Sequence, residues 1–381
     1  MQLAQLSFTP GQGWSAPLPA ALDGPDTLLL AFGAVHQPEP QAALQQLAQA
    51  LPRSLLVGCT GAGLIVGDQV NDDALWVSVA AFERTTLRRV ATELAGAADS
   101  RAAGQRLAAQ LPTQGLRAVF VLSAGVDVHG AGLVQGLAAG LPDGVVLTGG
   151  LAGWGDQFAC SWVLDGTQPR EAFITAIGLY GDAVRVGHGC DGGWQDFGPE
   201  RRITRSQGTQ LDQLDGQPAL ALYKTYLGEL ATQLPGSALR FPLSLRAPVD
   251  GAPAVVRTIL AIDDGSQSLT FAGDMPEGHV VRLMRTSVER LVGSADDAAA
   301  QAVASLGSGA APVLALSVSC IGRRLMMGER TEEEVEAVAE QLPPGSVHAG
   351  FYSYGEIAPA FGGTHPELHN QTMTLTVITE G

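Results

Sequence analysis

Basic residues are scarce: 22 Lys and Arg stand against 38 Asp and Glu in 381 residues, a formal net charge of −16. Such a field repels phosphate and disfavours a nucleic acid or an anionic membrane as partner. No apolar stretch reaches the roughly 18 residues of a membrane-spanning helix. Met1 to Trp14 carry neither a positive n-region nor a continuous apolar h-region, so no secretory signal is expected. Cysteine is sparse as well, and Cys59, Cys160, Cys190 and Cys320 form no Cys-x-x-Cys pair. This excludes a zinc ribbon, a thioredoxin-like site and c-type haem attachment, and suggests reduced thiols in a cytoplasmic protein. A Gly-x-Ser-x-Gly elbow, a His-Glu-x-x-His metal site, a P-loop and a Rossmann fingerprint are all missing, which argues for a binding protein rather than an enzyme.

Glycine is abundant instead, at 48 residues, and clusters at the ends of apolar runs, where it points to tight turns and close backbone approach. One glycine loop is written twice, as Gly58-Cys-Thr-Gly-Ala-Gly63-Leu-Ile65 and as Gly350-Phe-Tyr-Ser-Tyr-Gly355-Glu-Ile357. Each follows an amphipathic helix closed by Leu-Pro and a short strand. A looser third copy runs from Leu141-Pro142 into Gly149-Gly-Leu-Ala-Gly153-Trp-Gly155. The helices share a register: Leu44, Leu47, Ala48 and Leu51 match Val134, Leu137, Ala138 and Leu141, and Val335, Val338, Ala339 and Leu342. That i, i+3, i+4, i+7 spacing is one helical face, and proline, lacking an N–H, stops each helix.

The length implies two domains. The expected boundaries are a lead over 1–24, an amino-terminal domain over 25–210 and a carboxy-terminal domain over 211–381, with the polar stretch 188–208 as the junction. Strands and helices alternate without strict βαβ order. The expected class is therefore α/β (α+β): two layered domains with mixed sheets covered by helices, built from related strand-helix-strand-Gly-loop-strand units. Thr331 and Glu334 are placed as a capping box, and Met373, Leu375 and Val377 alternate with threonines as in a one-sided strand.

Glycine loops at strand ends expose backbone N–H groups and admit a ligand, which makes Gly58, Cys59, Thr60, Gly61, Gly149 and Gly150 candidate binding residues. The same glycines also serve turns and domain packing. Tyr352, Tyr354, Gly355 and Glu356 add aromatic and acidic groups to the last loop. His369, Asn370 and Gln371 precede the final strand, where they either bond a ligand or lock the Glu356 loop. Cys320 beside Arg323 and Arg324 has the look of a thiolate among cations, hence of a hydrolase or transferase nucleophile. The alternative is that the arginines hold an anion or an interface.

These segments resemble the FIST family, named for F-box and intracellular signal transduction proteins. The resemblance rests on the first glycine loop, on Gly149 to Gly153, on Leu214-Asp-Gly-Gln-Pro-Ala-Leu220, on Cys320 to Arg324, on Gly350 to Ile357 and on His369 to Thr372. Leu64 stands where members commonly carry Glu, so a polar role there is lost in the first loop and kept by Glu356 in the last. The resemblance implies a cytoplasmic sensory module that binds a small or gaseous ligand and acts on a signalling protein such as a histidine kinase. No kinase, F-box or diguanylate cyclase segment appears among the 381 residues, so the stand-alone bacterial type is expected. Its NosP subset binds haem and senses nitric oxide. For haem iron the candidate ligand is His188, between Gly187 and Gly189, with His129 and His365 as alternatives. A small-molecule sensor without haem, for amino acid-like ligands held by Arg323, Glu356 and backbone amides, is the other reading.

Overall fold

The computed structural model describes residues 1–34, 40–155, 160–249, 254–307, 311–359, 363 and 365–381, which leaves His36 outside the described residues. Three sheets are built alike. At the centre of each lies a parallel pair joined by a helix: Thr27–Gly33 with Leu55–Thr60, Leu116–Ser123 with Val146–Leu151, and Leu314–Cys320 with Val347–Ser353. The joining helices are Gln41–Ala50, Gly130–Ala138 and Glu332–Gln341. An antiparallel strand flanks the first member of each pair, namely Leu75–Ala81, Phe173–Tyr180 or Met373–Glu380. Beyond it runs another, Gln2–Thr9, Thr86–Glu93 or Val184–Asp191. The register repeats too, with Ala31 opposite Gly58, Val121 opposite Gly149, and Ser317 opposite Gly350.

The remaining edge of each sheet is supplied by a different unit. After its glycine loop the first unit gives Leu64–Val66 to the third sheet, beside Val347–Ser353. The third gives Gly355–Pro359 to the second, beside Val146–Leu151. The second gives Val163–Asp165 to the first, beside Leu55–Thr60. The exchange closes after three steps, so the units form a pseudo-threefold ring. Equivalent side chains from one face of each sheet meet in a common core: Leu28, Leu30 and Phe32 with Ala118, Phe120 and Leu122 and with Leu314, Leu316 and Val318. The opposite faces pack under helices. Burial on both faces explains why these strands read as continuous apolar runs.

A fourth, eight-stranded sheet is formed by residues 195–285, an insertion between strand Val184–Asp191 and helix Val288–Ala304, with a core of its own around helix Ala219–Leu227. The mixed α/β class expected from sequence is the one observed. Details differ. Residues 1–24 are not a lead outside the fold, because Gln2–Thr9 is a strand of the first sheet. The 210/211 boundary falls inside the hairpin of Gln195–Gln207 and Gln210–Leu214. The stretch 188–208 is mostly strand, since glycine and charge there serve a helix contact and a solvent-exposed strand face rather than a linker. Thr331 makes no capping bond, as the Glu334 carboxylate turns inward. Strand Met373–Glu380 is buried on both faces, its Thr374 hydroxyl donating to the Val318 carbonyl.

Candidate functional site

The three glycine loops meet on the pseudo-threefold axis and bond one another in a cycle. Ala62 N–H donates to Tyr352 O at 2.8 Å, Gly153 N–H to Thr60 O at 3.1 Å, and Tyr354 N–H to Leu151 O at 3.1 Å. Of the candidate loop amides, Tyr354 N–H is taken by this cycle, while Thr60 N–H donates to Trp162 O at 3.0 Å and Gly61 N–H to Gly33 O at 3.2 Å. A Cβ on Gly58 or Gly149 would overlap the carbonyl oxygen of the paired strand, Ala31 or Val121. A Cβ on Gly150 would stand 2.6 Å from Val318 Cγ1, and on Gly61 2.7 Å from Phe351 Cβ. Gly355 faces Leu151 and Leu368. Cys59 is buried, and Thr60 Oγ1 accepts from Trp162 N–H at 3.1 Å. These residues hold the ring together; a ligand does not reach them.

Behind the last loop lies a buried polar network. Arg323 donates through Nε and Nη2 to Glu334 Oε2 at 3.0 and 2.7 Å, and further to Gly192 O, Ser294 Oγ and Leu291 O. Ser319 and Tyr352 hydroxyls donate to Glu334 Oε1 at 3.0 and 2.9 Å. Neither Arg323 nor Glu334 has exposed surface. The expected role of Arg323 and Tyr352 in holding a ligand is thus corrected: their bonding capacity is spent on this lock. Arg324 reaches the first loop, donating from Nη1 to Ala62 O at 2.6 Å and to Asp72 at 2.9 Å. The Tyr354 hydroxyl donates to Trp154 O at 2.8 Å.

Glu356 is fully buried and accepts from Ser353 Oγ at 2.6 Å and from Thr372 Oγ1 at 3.0 Å. Burial pushes its carboxyl up to about 7 against those hydrogen bonds. Two thiols share its surroundings. Cys190 is raised to about 12 by burial and by the Glu356 charge, and Cys320 is raised further for the same reasons. A thiol so raised stays protonated at neutral pH, so the environment of Cys320 does not prepare a nucleophile. His369 Nε2 bonds Ala358 O at 2.9 Å, and burial lowers its pKa to about 4. Asn370 Nδ2 donates to His369 O, while its Oδ1 finds no partner among the described residues. Gln371 sits at φ +63° with Oε1 equally unpartnered, its Nε2 3.3 Å from Leu239 O. A left-handed, non-glycine residue with a half-satisfied buried amide is a strained position.

Leu239 belongs to the wall of a cleft of about 610 Å³ between the inserted sheet and the ring. Val126, Ile259, Leu260, Leu325 and Gly125 line it as well. Val126, Leu260 and Leu325 are 36, 46 and 43% exposed, three of the five large hydrophobics left open among the described residues. A second cavity, about 360 Å³, lies on the other side of a bridge that ties insert to ring: His129 Nε2 to Asp274 Oδ1 at 2.9 Å, and Arg257 Nη1 to Leu368 O at 3.1 Å. None of the cleft residues was marked by the sequence. A scattered Leu or Val carries no signal until the chain brings several to one place.

The histidines fare unevenly. His188 is half-buried in strand Val184–Asp191 and lines neither cavity. Its glycine neighbours make room for helix Val288–Ala304, because a Cβ on Gly187 or Gly189 would overlap the Ala302 or Ala298 carbonyl. The space expected for a porphyrin is filled by that helix. His129 caps helix Gly130–Ala138 through Nδ1 and is raised by its bond to Asp274. His365 is exposed at the rim of the smaller cavity, which His279 also lines. No His, Cys, Met or Tyr lines the larger cleft, so haem does not fit there through an axial bond. No group of three or more potential metal ligands is found among the described residues.

Three exchanged α/β units form a ring that carries an inserted sheet, with two concavities where the ring and the insert meet. The chain matches the FIST N domain over residues 27–217 and the FIST C domain over 219–359, and it belongs to the FIST family. FIST domains sense small ligands in signal transduction. No curated protein matches the chain at a significant level. No helix among the described residues is long and apolar enough to cross a membrane.

Proposed function

We propose that this chain is a sensory binding protein, not an enzyme, that takes a small and largely apolar molecule into the 610 Å³ cleft and reports its occupancy to a separate signalling protein. The observation that carries this reading is the convergence of Val126, Leu260 and Leu325 on one concavity of ligand size. Leu260 lies on the insert, and Val126 and Leu325 lie on the ring. A ligand touching both favours one arrangement of the two and shifts their equilibrium by its differential affinity. A histidine kinase is the partner class this output suits, in the cytoplasm.

Thermal-shift screening of the intact chain, with Leu325→Arg alongside, tests the proposal. The expected result is a set of apolar ligands that raise the wild-type midpoint and leave the variant unmoved. Ligands that stabilise both equally would place the site elsewhere. The haem-based form of the reading, a nitric oxide sensor, needs an axial donor at a cavity, and His279 and His365 are the histidines so placed. An absorption titration with haemin, reduced and exposed to NO, with His365→Ala as comparison, addresses it. Without a saturable Soret shift that form falls and the apolar-ligand form stands.

A further inference from the structure

The smaller cavity carries a chemistry of its own. Arg257 is only 7% exposed, yet among the described residues it forms no ion pair within 4 Å. Its bonds all go to neutral carbonyls: Nη1 to Val256 O at 3.2 Å and Leu368 O at 3.1 Å, and Nε to Asp274 O at 3.4 Å. Nη2 has no partner there. The guanidinium rests on Gly273, where a Cβ would come 2.8 Å from Nε. Burial disfavours the guanidinium charge, and Asp274 and Glu367 offset that only from beyond ion-pair distance; an anion bonded to Nη2 inside the cavity offsets more of it. His279 lines the same wall, its Nδ1 buried away from the open space and without a hydrogen-bond partner among the described residues. Leu245, Val255 and Val134 supply an apolar side. Asp274 and Glu367 also face the space, Asp274 already bonded to His129. Their charges disfavour a polyanion such as phosphate and favour a single negative charge.

We propose that the 360 Å³ cavity is a second ligand site, independent of the apolar cleft, which binds a small monocarboxylate with a branched apolar tail. Arg257 takes the carboxylate through its free Nη2, and the tail lies on Leu245, Val255 and Val134. Either a simple acid or the carboxylate of a zwitterion presents this group.

Calorimetric titration of the full chain with 4-methylpentanoate, L-leucine and isopentylamine tests it. The two carboxylates are expected to bind and the amine not. Leucine binding more tightly than the simple acid would assign the ammonium to Asp274 or Glu367; the reverse would assign the plain acid. Arg257→Lys should weaken carboxylate binding at least tenfold, because the shorter ammonium cannot keep the carbonyl bonds and place a donor where Nη2 stands. Should Arg257 variants fold poorly, Ala131→Phe fills the cavity from the first turn of helix Gly130–Ala138 and should abolish binding with an unchanged melting midpoint. Leu325→Arg should leave carboxylate binding intact. The proposal is overturned if the amine binds as well as the acids, if neither acid binds at millimolar concentration, or if binding survives both Arg257→Lys and Ala131→Phe. A wild-type protein that binds the cleft ligands but neither acid would defeat this site alone.

Discussion

Gly153 N–H donates to Thr60 O at 3.1 Å, across the line where the second unit's loop meets the first's, and two equivalent bonds close the ring. Each unit hands its next strand to a neighbour through such a loop, so none of the three sheets is complete without another unit's strand. Stability of the ring is therefore shared among the units.

Glycine at the strand crossing should tolerate no side chain. Gly58→Ala places a methyl group on the Ala31 carbonyl and is expected to cost about 2–3 kcal/mol or prevent folding. Gly293, inside helix Val288–Ala304 with nothing within 4 Å of a built Cβ, should behave oppositely, Gly293→Ala gaining about 0.5–1 kcal/mol. Chemical denaturation of the two variants measures both signs; a Gly58→Ala protein as stable as wild type would contradict the crossing.

Removing one partner of the buried Arg323–Glu334 pair strands the other charge without water. Glu334→Gln should cost about 3–5 kcal/mol, and the double variant Arg323→Met with Glu334→Leu should recover part of that loss. Urea unfolding of the three proteins gives the comparison. A single substitution costing under about 1 kcal/mol would mean the pair is solvated.

Glu356 predicts a pH dependence. Its folded pKa, about 7, lies above the unfolded value near 4.5, so the native state favours the protonated acid. Its contribution is complete below the unfolded value and is lost as pH rises through about 7. The melting midpoint of Glu356→Gln minus that of wild type should therefore increase between pH 5 and 8, by a few degrees. A flat difference would mean that Glu356 is ionised throughout.

The His129–Asp274 bridge predicts a different window. His129 is raised and Asp274 lowered, each chiefly by their hydrogen bond. The histidine's contribution is full below its unfolded pKa and lost as pH rises through the raised value; the aspartate's is lost as pH falls through the lowered one. The bridge is strongest in mildly acidic solution. Amide exchange in strands Ile259–Asp263 and Ser268–Phe271, corrected for intrinsic rates, should accelerate from pH 6 to pH 9 in wild type, and should be fast at both in Asp274→Asn. The pair is only about half buried, so the effect should stay under about 1 kcal/mol.

Much of the ring was legible in the chain. The repeated glycine frame, the Leu-Pro helix ends and the apolar runs located all three units, because those features answer to local geometry: the 3.6-residue period, a missing N–H, a backbone approach that excludes Cβ. The His-Asn-Gln segment and Glu356 were read as one neighbourhood and do lie together, with the Thr372 hydroxyl on the carboxylate. Arg323 was misread as available. In sequence it is an arginine beside a cysteine, and only packing brings Glu334 to it. Glu334 was misread as a cap for the same reason, since a capping box and a buried ion pair begin from identical letters.

The sequence by itself determined the α/β class, the three-unit repeat and the acidic surface, because each follows from residue type and spacing along a short stretch of chain. The tertiary structure alone decided that the units exchange strands, that residues 195–285 form an inserted sheet, and that Val126, Leu260 and Leu325 share one cleft while Arg257 and His279 share another. Those outcomes depend on contacts between residues from different elements of the chain, well beyond the reach of a single helix or strand. No local periodicity encodes them, and burial, which fixes both the charge state of Glu356 and the freedom of Arg257, exists only once the sheets have closed.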